Sequence, residues 1–273
     1  MIALFFANLA MSQETTKNMN TEVLSIGEKV NLYSQVLKEN RVLNIYLPHT
    51  YDTDSLKKYP IIYLLDGSMD EDFIHISGLV QFGSFSWINM LPESIVVGIA
   101  NVDRKRDFTY PTNIERDLKD FPTNGHSAEF IQFLGEELQP FIEKKYRHSE
   151  DRTIIGQSLG GLLASEILLI QPSLFNNYII ISPSLWWDDE SLLQLENPEL
   201  SEVNAIYIGV GKEGAIMERV AKELENKLRS AITPDTKLIF NFFPDQDHGD
   251  ALHLATYDAF GKIFKVEEAK IDN

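Results

Sequence analysis

The chain has no cysteine. Disulfides, thiolate metal sites and a cysteine nucleophile are excluded, and the redox compartment is left open. Positive charge is scarce: Lys and Arg total 24 against 41 Asp and Glu, a formal net charge of −17. A nucleic-acid partner needs a basic footprint, and an anionic membrane surface needs the same, so neither is expected as a partner. No apolar run reaches the roughly 20 residues that would span a bilayer. Internal repeats, heptad arrays and low-complexity blocks are also missing. With no Pro/Gly/Ser-rich linker to divide it, residues 21–273 read as one domain. There is no H-E-x-x-H, no complete P-loop and no G-x-G-x-x-G opening a helix. "GVGKEG" lacks the Walker spacing and "DQDHGD" lacks the EF-hand spacing, so neither a cofactor nor a metal is expected.

What is present is an ordinary globular composition, 44% hydrophobic and 24% charged over 273 residues. A chain of this length buries most of its unfolded surface without staples. Residues 1–20 are set apart from the fold. "MIALFFANLA" is apolar, small residues follow at Ala10 and Ser12, and polar sequence comes next. This has the shape of a secretory signal cut after Ser12, although its basic start is missing. Export to a periplasm or medium is the expectation, with a cytoplasmic protein as the alternative.

The first third reads as β-rich. "EKVNLYSQVL" and "RVLNIYLP" flank "KEN", which predicts a hairpin. "YPIIYLLDG" and "SIVVGIAN" are short apolar runs of the kind that form buried strands. From there strands and helices alternate. Ser127 to Tyr146 has helical spacing, with Ser127 as a candidate N-cap. "RTIIGQ" is a strand and Leu159 to Ile170 a helix. The strand "NYIIISPS" follows, then the strand "VNAIYIGVG" with a helix from Ala215 to Arg229. "KLIFNFFP" leads into a helix from Asp250 to Phe264. The pattern predicts an α/β fold: a mostly parallel central sheet with an antiparallel N-terminal hairpin and helices on both faces.

Gly156-Gln157-Ser158-Leu159-Gly160 is G-x-S-x-G in the strand–turn–helix setting that this pattern requires. A strained backbone at Ser158 lifts the hydroxyl to the carboxyl edge of the sheet, and side chains at 156 and 160 would collide with neighbouring backbone. Ser158 is therefore the candidate nucleophile. A serine hydroxyl needs a base to take its proton. Of six histidines, His248 lies just past the last strand, on the edge where Ser158 sits, and is the candidate base. His49, His75, His126 and His148 precede the serine, and His253 lies inside a helical pattern. The orienting acid should fall between serine and histidine in the chain. Glu213, in the turn after the penultimate strand, is favoured. Glu218 ranks second, with Asp188, Asp189, Asp245 and Asp247 behind it.

Two backbone N–H groups should stabilise the oxyanion: that of Leu159, after the nucleophile, and that of Ser68, in the turn after "IIYLLDG". Trp186 and Trp187 follow a strand on the same edge and could wall a substrate pocket or fill the core. Arg104 and Arg106 could hold an anionic part of a substrate or be paired within the fold.

"YPIIYLLDGS", "GQSLGG", "ISPSLWW" and the late "DHGD" histidine together resemble an esterase family of α/β hydrolases. It includes esterase D-like and enterochelin (siderophore) esterase-like enzymes, feruloyl esterases and mycolyltransferases. The likeness runs from about residue 22 to 265, and "SPSLWW" with the arginine segment is most similar to the siderophore esterases. The resemblance implies an α/β-hydrolase fold, Ser158 as nucleophile, His248 as base, and oxyanion donors at Leu159 and Ser68. It supports Glu213 less firmly, because the acid varies within the family. The expected activity is that of a serine carboxylic-ester hydrolase working through an acyl-enzyme on a small-molecule or glycan-linked ester. An acyltransferase with the same machinery and a non-catalytic binding protein with the same fold are the alternatives. The sequence names neither the ester nor the oligomeric state.

Overall fold

A computed structural model describes residues 22–265. The signal-like stretch lies outside the described residues. The strands are β1 (Gly27–Ser34), β2 (Glu39–Tyr46), β3 (Tyr59–Leu64), β4 (Ile95–Ile99), β5 (His148–Gln157), β6 (Asn177–Ile181), β7 (Ala205–Gly211) and β8 (Lys237–Phe243). All eight join one sheet in the order β1-β2-β4-β3-β5-β6-β7-β8. β1 pairs antiparallel with β2, and β2 antiparallel with β4; every other pairing is parallel. This is the expected sheet, with the hairpin at its edge.

The helices are α1 (Phe73–Gly83), α2 (Arg104–Asp107), α3 (Glu115–Asp120), α4 (Ser127–Phe133), α5 (Gln139–Lys145), α6 (Leu159–Ile170), α7 (Ala215–Leu228) and α8 (Ala251–Ile263). Strand side chains alternate between faces, so a sheet covered on both sides splits its core in two. Tyr63, Ile154, Tyr178, Ile180 and Ile208 pack on one face with α4, α6 and α7. Ile62, Leu64, Ile155, Ile179 and Tyr207 pack on the other with α1 and α8. Helix α6 lies so deep that every residue from Leu159 to Leu169 is buried.

The helix predicted over Ser127–Tyr146 is broken. A π-turn, Leu134–Leu138, separates α4 from α5, and the Gln139 N–H reaches back five residues to the Leu134 carbonyl. Pro140 follows and has no N–H to continue the α-helical ladder. Ser127 does not cap: His126 is the N-cap residue, and the Ser127 hydroxyl donates to buried Glu166 at 2.9 Å. A buried carboxyl that needs a donor takes the hydroxyl away from the helix end.

The order places β3 between β4 and β5. The chain leaves β3 toward β4 and leaves β5 toward β6, so the loops after β3 and β5 diverge. That divergence opens a crevice at the carboxyl edge of the sheet, where parallel α/β proteins bind ligands. The turn containing Ser68 lies on one side of it and Ser158 on the other.

Candidate active site

The turn from β5 into α6 is tight. Ser158 has φ 58° and ψ −117°, a conformation that L-residues rarely adopt. Its N–H donates to the Ile181 carbonyl at 3.1 Å, and its own carbonyl accepts from the Ser184 N–H at 3.0 Å. The glycines leave room for this. A Cβ on Gly156 would lie 2.3 Å from the Gly160 carbonyl oxygen, and one on Gly161 would lie 2.8 Å from that of Ile181. At Gly160, by contrast, the neighbours are side chains, Asp66 at 3.3 Å and Leu65 at 3.4 Å. The backbone collision expected at 160 thus falls at 161, where β6 presses on the helix start.

Three consecutive parallel strands deliver the remaining groups to this edge. β6 ends in Ser182-Pro183-Ser184, β7 leads to Glu213 and β8 to His248. His248 Nδ1 lies 2.5 Å from Glu213 Oε2. Glu213 Oε1 accepts from the Ser182 hydroxyl and from the Gly211 N–H at 2.9 Å. Burial pushes the Glu213 carboxyl up, but the hydrogen bonds from His248, Ser182 and Gly211 outweigh it and hold its pKa below the ordinary value. Glu213 is therefore an anion at neutral pH. Its side chain is 2% exposed, while that of His248 is 47% exposed, so the carboxylate is shielded from solvent and the imidazole is open to it.

Glu218 has a different task. Its Oε1 accepts from the Glu213 and Gly214 N–H groups at 3.1 and 3.0 Å, which ties up free donors at the start of α7. Gly211 must lack a side chain, because a Cβ there would lie 2.7 Å from the Gln246 carbonyl oxygen in the histidine loop. That loop is also held by Gln157, whose side chain donates to the His248 carbonyl at 2.7 Å.

Ser158, Ser184, Trp186, Lys212, Glu213, Met217, Asp247 and His248 line one open cavity of about 610 Å³. The Ser158 hydroxyl lies 3.4 Å from that of Ser184, a long contact. Among the described residues no hydrogen bond joins Ser158 to the His248 ring. A larger cavity of about 1100 Å³ opens at the opposite edge, beside Pro60, Asn177, Ala205 and Lys237. Its lining includes no serine or histidine, and it sits at the amino ends of the strands.

The two expected oxyanion donors flank the crevice. Among the described residues neither the Leu159 N–H nor the Ser68 N–H has an acceptor. Gly67 is wedged against β4, where a Cβ would lie 2.4 Å from the Gly98 Cα. The Asn44 side chain donates to the Gly67 carbonyl at 2.8 Å. These contacts fix the turn that presents Ser68.

The tryptophans part company. Trp186 lines the cavity. Trp187 is fully buried, and its indole N–H donates to the Tyr110 carbonyl at 3.0 Å. Both arginines are paired within the fold, and neither lines the cavity. Arg104 binds Asp66 through Nε at 2.6 Å and Nη2 at 3.0 Å, and donates to the Gln157 carbonyl at 3.1 Å. Arg106 grips Glu39 with both terminal nitrogens and Asp107 with Nε. Of the two readings left open in the sequence, Trp187 takes the core one and Arg104 and Arg106 the one paired within the fold. Ser182, Ser184, Lys212 and Met217 are site residues that sequence reasoning did not single out. The two serines stand in "ISPSLWW", a stretch conspicuous for its aromatic pair.

A family model described as "Putative esterase" matches residues 34–250. Ferri-bacillibactin esterase BesA of Bacillus subtilis (strain 168) is 31% identical over 201 residues, covering 67% of this chain and 69% of that protein. An IroE-like serine hydrolase from Shewanella oneidensis superposes with a TM-score of 0.77 at 27% identity, covering 88% of this chain and 80% of that one. The BES protein from Bacillus cereus superposes with a TM-score of 0.77 at 26% identity, covering 93% and 100%. Family match and sheet order agree: the chain belongs to this esterase family and has the α/β-hydrolase fold.

Proposed function

We propose that this esterase works through an acyl-enzyme on Ser158, with His248 as general base and Glu213 as the carboxylate that orients the imidazole. The observation that carries the reading is the 2.5 Å contact between Glu213 and His248, on the cavity that also holds a serine at φ 58°. Glu213 accepts from Nδ1–H, which leaves Nε2 as the basic nitrogen. The Ser158 hydroxyl leaves its long contact with Ser184 and donates to Nε2. As Oγ adds to the ester carbonyl, Nε2 takes the proton; it then returns that proton to the departing alkoxide. Water repeats the cycle, and the acyl-enzyme yields acid and free Ser158. The N–H groups of Leu159 and Ser68 stabilise the tetrahedral oxyanion, each by about 3 kcal/mol.

The substrate we infer is a siderophore-type ester with anionic aryl groups. The likeness to the ferri-bacillibactin esterase of Bacillus subtilis supports a siderophore-type ester, and the cavity walls support the anionic aryl groups. Trp186 offers an aromatic face and Met217 a polarisable one. Lys212 supplies positive charge and, among the described residues, its ammonium has no ion pair.

A panel of esters read by kcat/KM tests the reading. A ferric catecholate trilactone should be cleaved with a higher kcat/KM than neutral short-chain aryl esters. Intact trilactone beside rapid turnover of neutral esters contradicts the substrate. Failure to cleave any ester contradicts the mechanism.

A further inference from the structure

The turn after β6 touches both ends of the proposed catalytic array. Ser182 and Ser184 are both buried, with Pro183 between them. On one side the Ser182 hydroxyl donates to Glu213 Oε1. On the other the Ser184 N–H donates to the Ser158 carbonyl at 3.0 Å, and the two hydroxyls lie 3.4 Å apart. A Cβ on Gly161 would lie 3.0 Å from the Pro183 Cα, so the turn is pressed against the start of α6.

We propose that Ser182-Pro183-Ser184 is a positioning element for the reaction, with Ser182 acting on catalysis through the Glu213 carboxylate. This rests on the reading of Ser158, His248 and Glu213 given above.

A carboxylate orients an imidazole only if its own rotation is stopped. Glu213 Oε2 is committed to His248, so rotation must be stopped at Oε1. Among the described residues Oε1 has two donors, the Gly211 N–H and the Ser182 hydroxyl. Gly211 is two residues away, at the end of the strand that leads into Glu213, and moves with it. Ser182 directly follows the neighbouring strand β6, so of these two donors it is the one that ties Oε1 to a separate element of the fold. Its backbone is held in turn: the Ser182 N–H donates to the Gly209 carbonyl at 2.7 Å, and φ is 45°. A left-handed φ at a fully buried residue is uncommon outside glycine and asparagine. That conformation aims the hydroxyl at Glu213 and not along the strand. Pro183 fixes the next φ and makes the link to Ser184 stiff.

The backbone conformation supplies the control. Ser182→Ala removes only the hydroxyl and keeps the Cβ, whereas Ser182→Gly removes the whole CH2OH group and relaxes the left-handed turn. A loss shared by both variants belongs to the hydroxyl, and any difference between them belongs to backbone freedom. Both variants should lower kcat about 10- to 100-fold with little change in KM, because a slightly misaimed base costs transition-state rather than ground-state binding. Introduced into Glu213→Gln, Ser182→Gly should change kcat by less than about threefold, since residues that act as a unit are not additive. The Nδ1–H resonance of His248 should lie far downfield in the wild type and move upfield in Ser182→Gly.

An unchanged kcat in Ser182→Gly overturns the proposal. So does an equal fractional loss in the wild-type and Glu213→Gln backgrounds, which marks a general structural role. If Glu213→Gln itself keeps full turnover, the triad reading fails; if Glu213→Gln is impaired while Ser182→Gly is not, only the positioning role of the turn fails.

Discussion

Arg104 holds Asp66 through two parallel N–H···O bonds, at 2.6 and 3.0 Å, and spends its remaining contact on the carbonyl of Gln157. Asp66 has φ 54° and stands two residues before Ser68. Gln157 stands one residue before Ser158. One guanidinium therefore fastens the two lips of the crevice, the β3 turn and the β5 turn, at a set separation. An oxyanion site built from Ser68 and Leu159 depends on that separation.

Arg104→Lys tests this role against direct substrate contact. An ammonium is a point charge and cannot reproduce the forked pair or reach the Gln157 carbonyl as well. The expected result is a loss of about 100-fold in kcat with KM nearly unchanged, together with about 1–3 kcal/mol of stability. Substrate contact would instead raise KM and leave kcat alone. Steady-state kinetics and denaturant melts read the two outcomes.

Glu213, in the turn before α7, and Glu218, in the first turn of that helix, stand five residues apart, and their variants should behave oppositely. Glu213→Gln removes the anion beside His248 and favours the wrong imidazole tautomer, so turnover should fall by up to about 10⁴-fold with little loss of fold. Glu218→Gln weakens a helix start, which costs about 1 kcal/mol of stability and leaves kcat within about threefold. The reverse pattern would move the orienting acid to Glu218.

These two regions show what the sequence makes legible. Helix α6 is observed over the predicted Leu159–Ile170, and Glu213 and His248 meet as their places after β7 and β8 suggest. Those features are local: apolar periodicity, a glycine bracket, chain order along a parallel sheet. What was not legible depends on partners far away in the chain. Arg104 is 38 residues from Asp66 and 53 from Gln157, and no spacing rule links them. Ser182 meets Glu213 only because β6 and β7 are neighbours. Trp186 and Trp187 are adjacent on a turn without periodicity, so nothing in the sequence says which ring faces the cavity. Helix α1 is not legible in the sequence because Gly78 and Gly83, poor helix formers, stand within its eleven residues.

Asp72 gives a pH-dependent prediction. Burial first, then the carboxylates of Asp66 and Glu71, push its carboxyl up to about 6, against the pull of Arg104. A raised pKa means that the folded chain binds this proton more tightly than the unfolded chain. The penalty for ionising Asp72 is thus absent below the ordinary Asp range, grows between about pH 4 and 6, and is full above that. Asp72→Asn cannot ionise. It should raise Tm over the wild type at about pH 7.5 and leave it unchanged near pH 4. Thermal melts across that range check the sign; an equal gain at both ends would assign the effect to something other than the charge.

The most direct test concerns the oxygen at position 158. A fluorophosphonate reacts with a serine only where a base removes its proton and a donor pair receives the phosphoryl oxygen. Peptide mapping by mass spectrometry after labelling should find one adduct, on the peptide that contains Ser158, and none in Ser158→Ala. A label on a different residue, or ester turnover that survives in Ser158→Ala, would contradict the account.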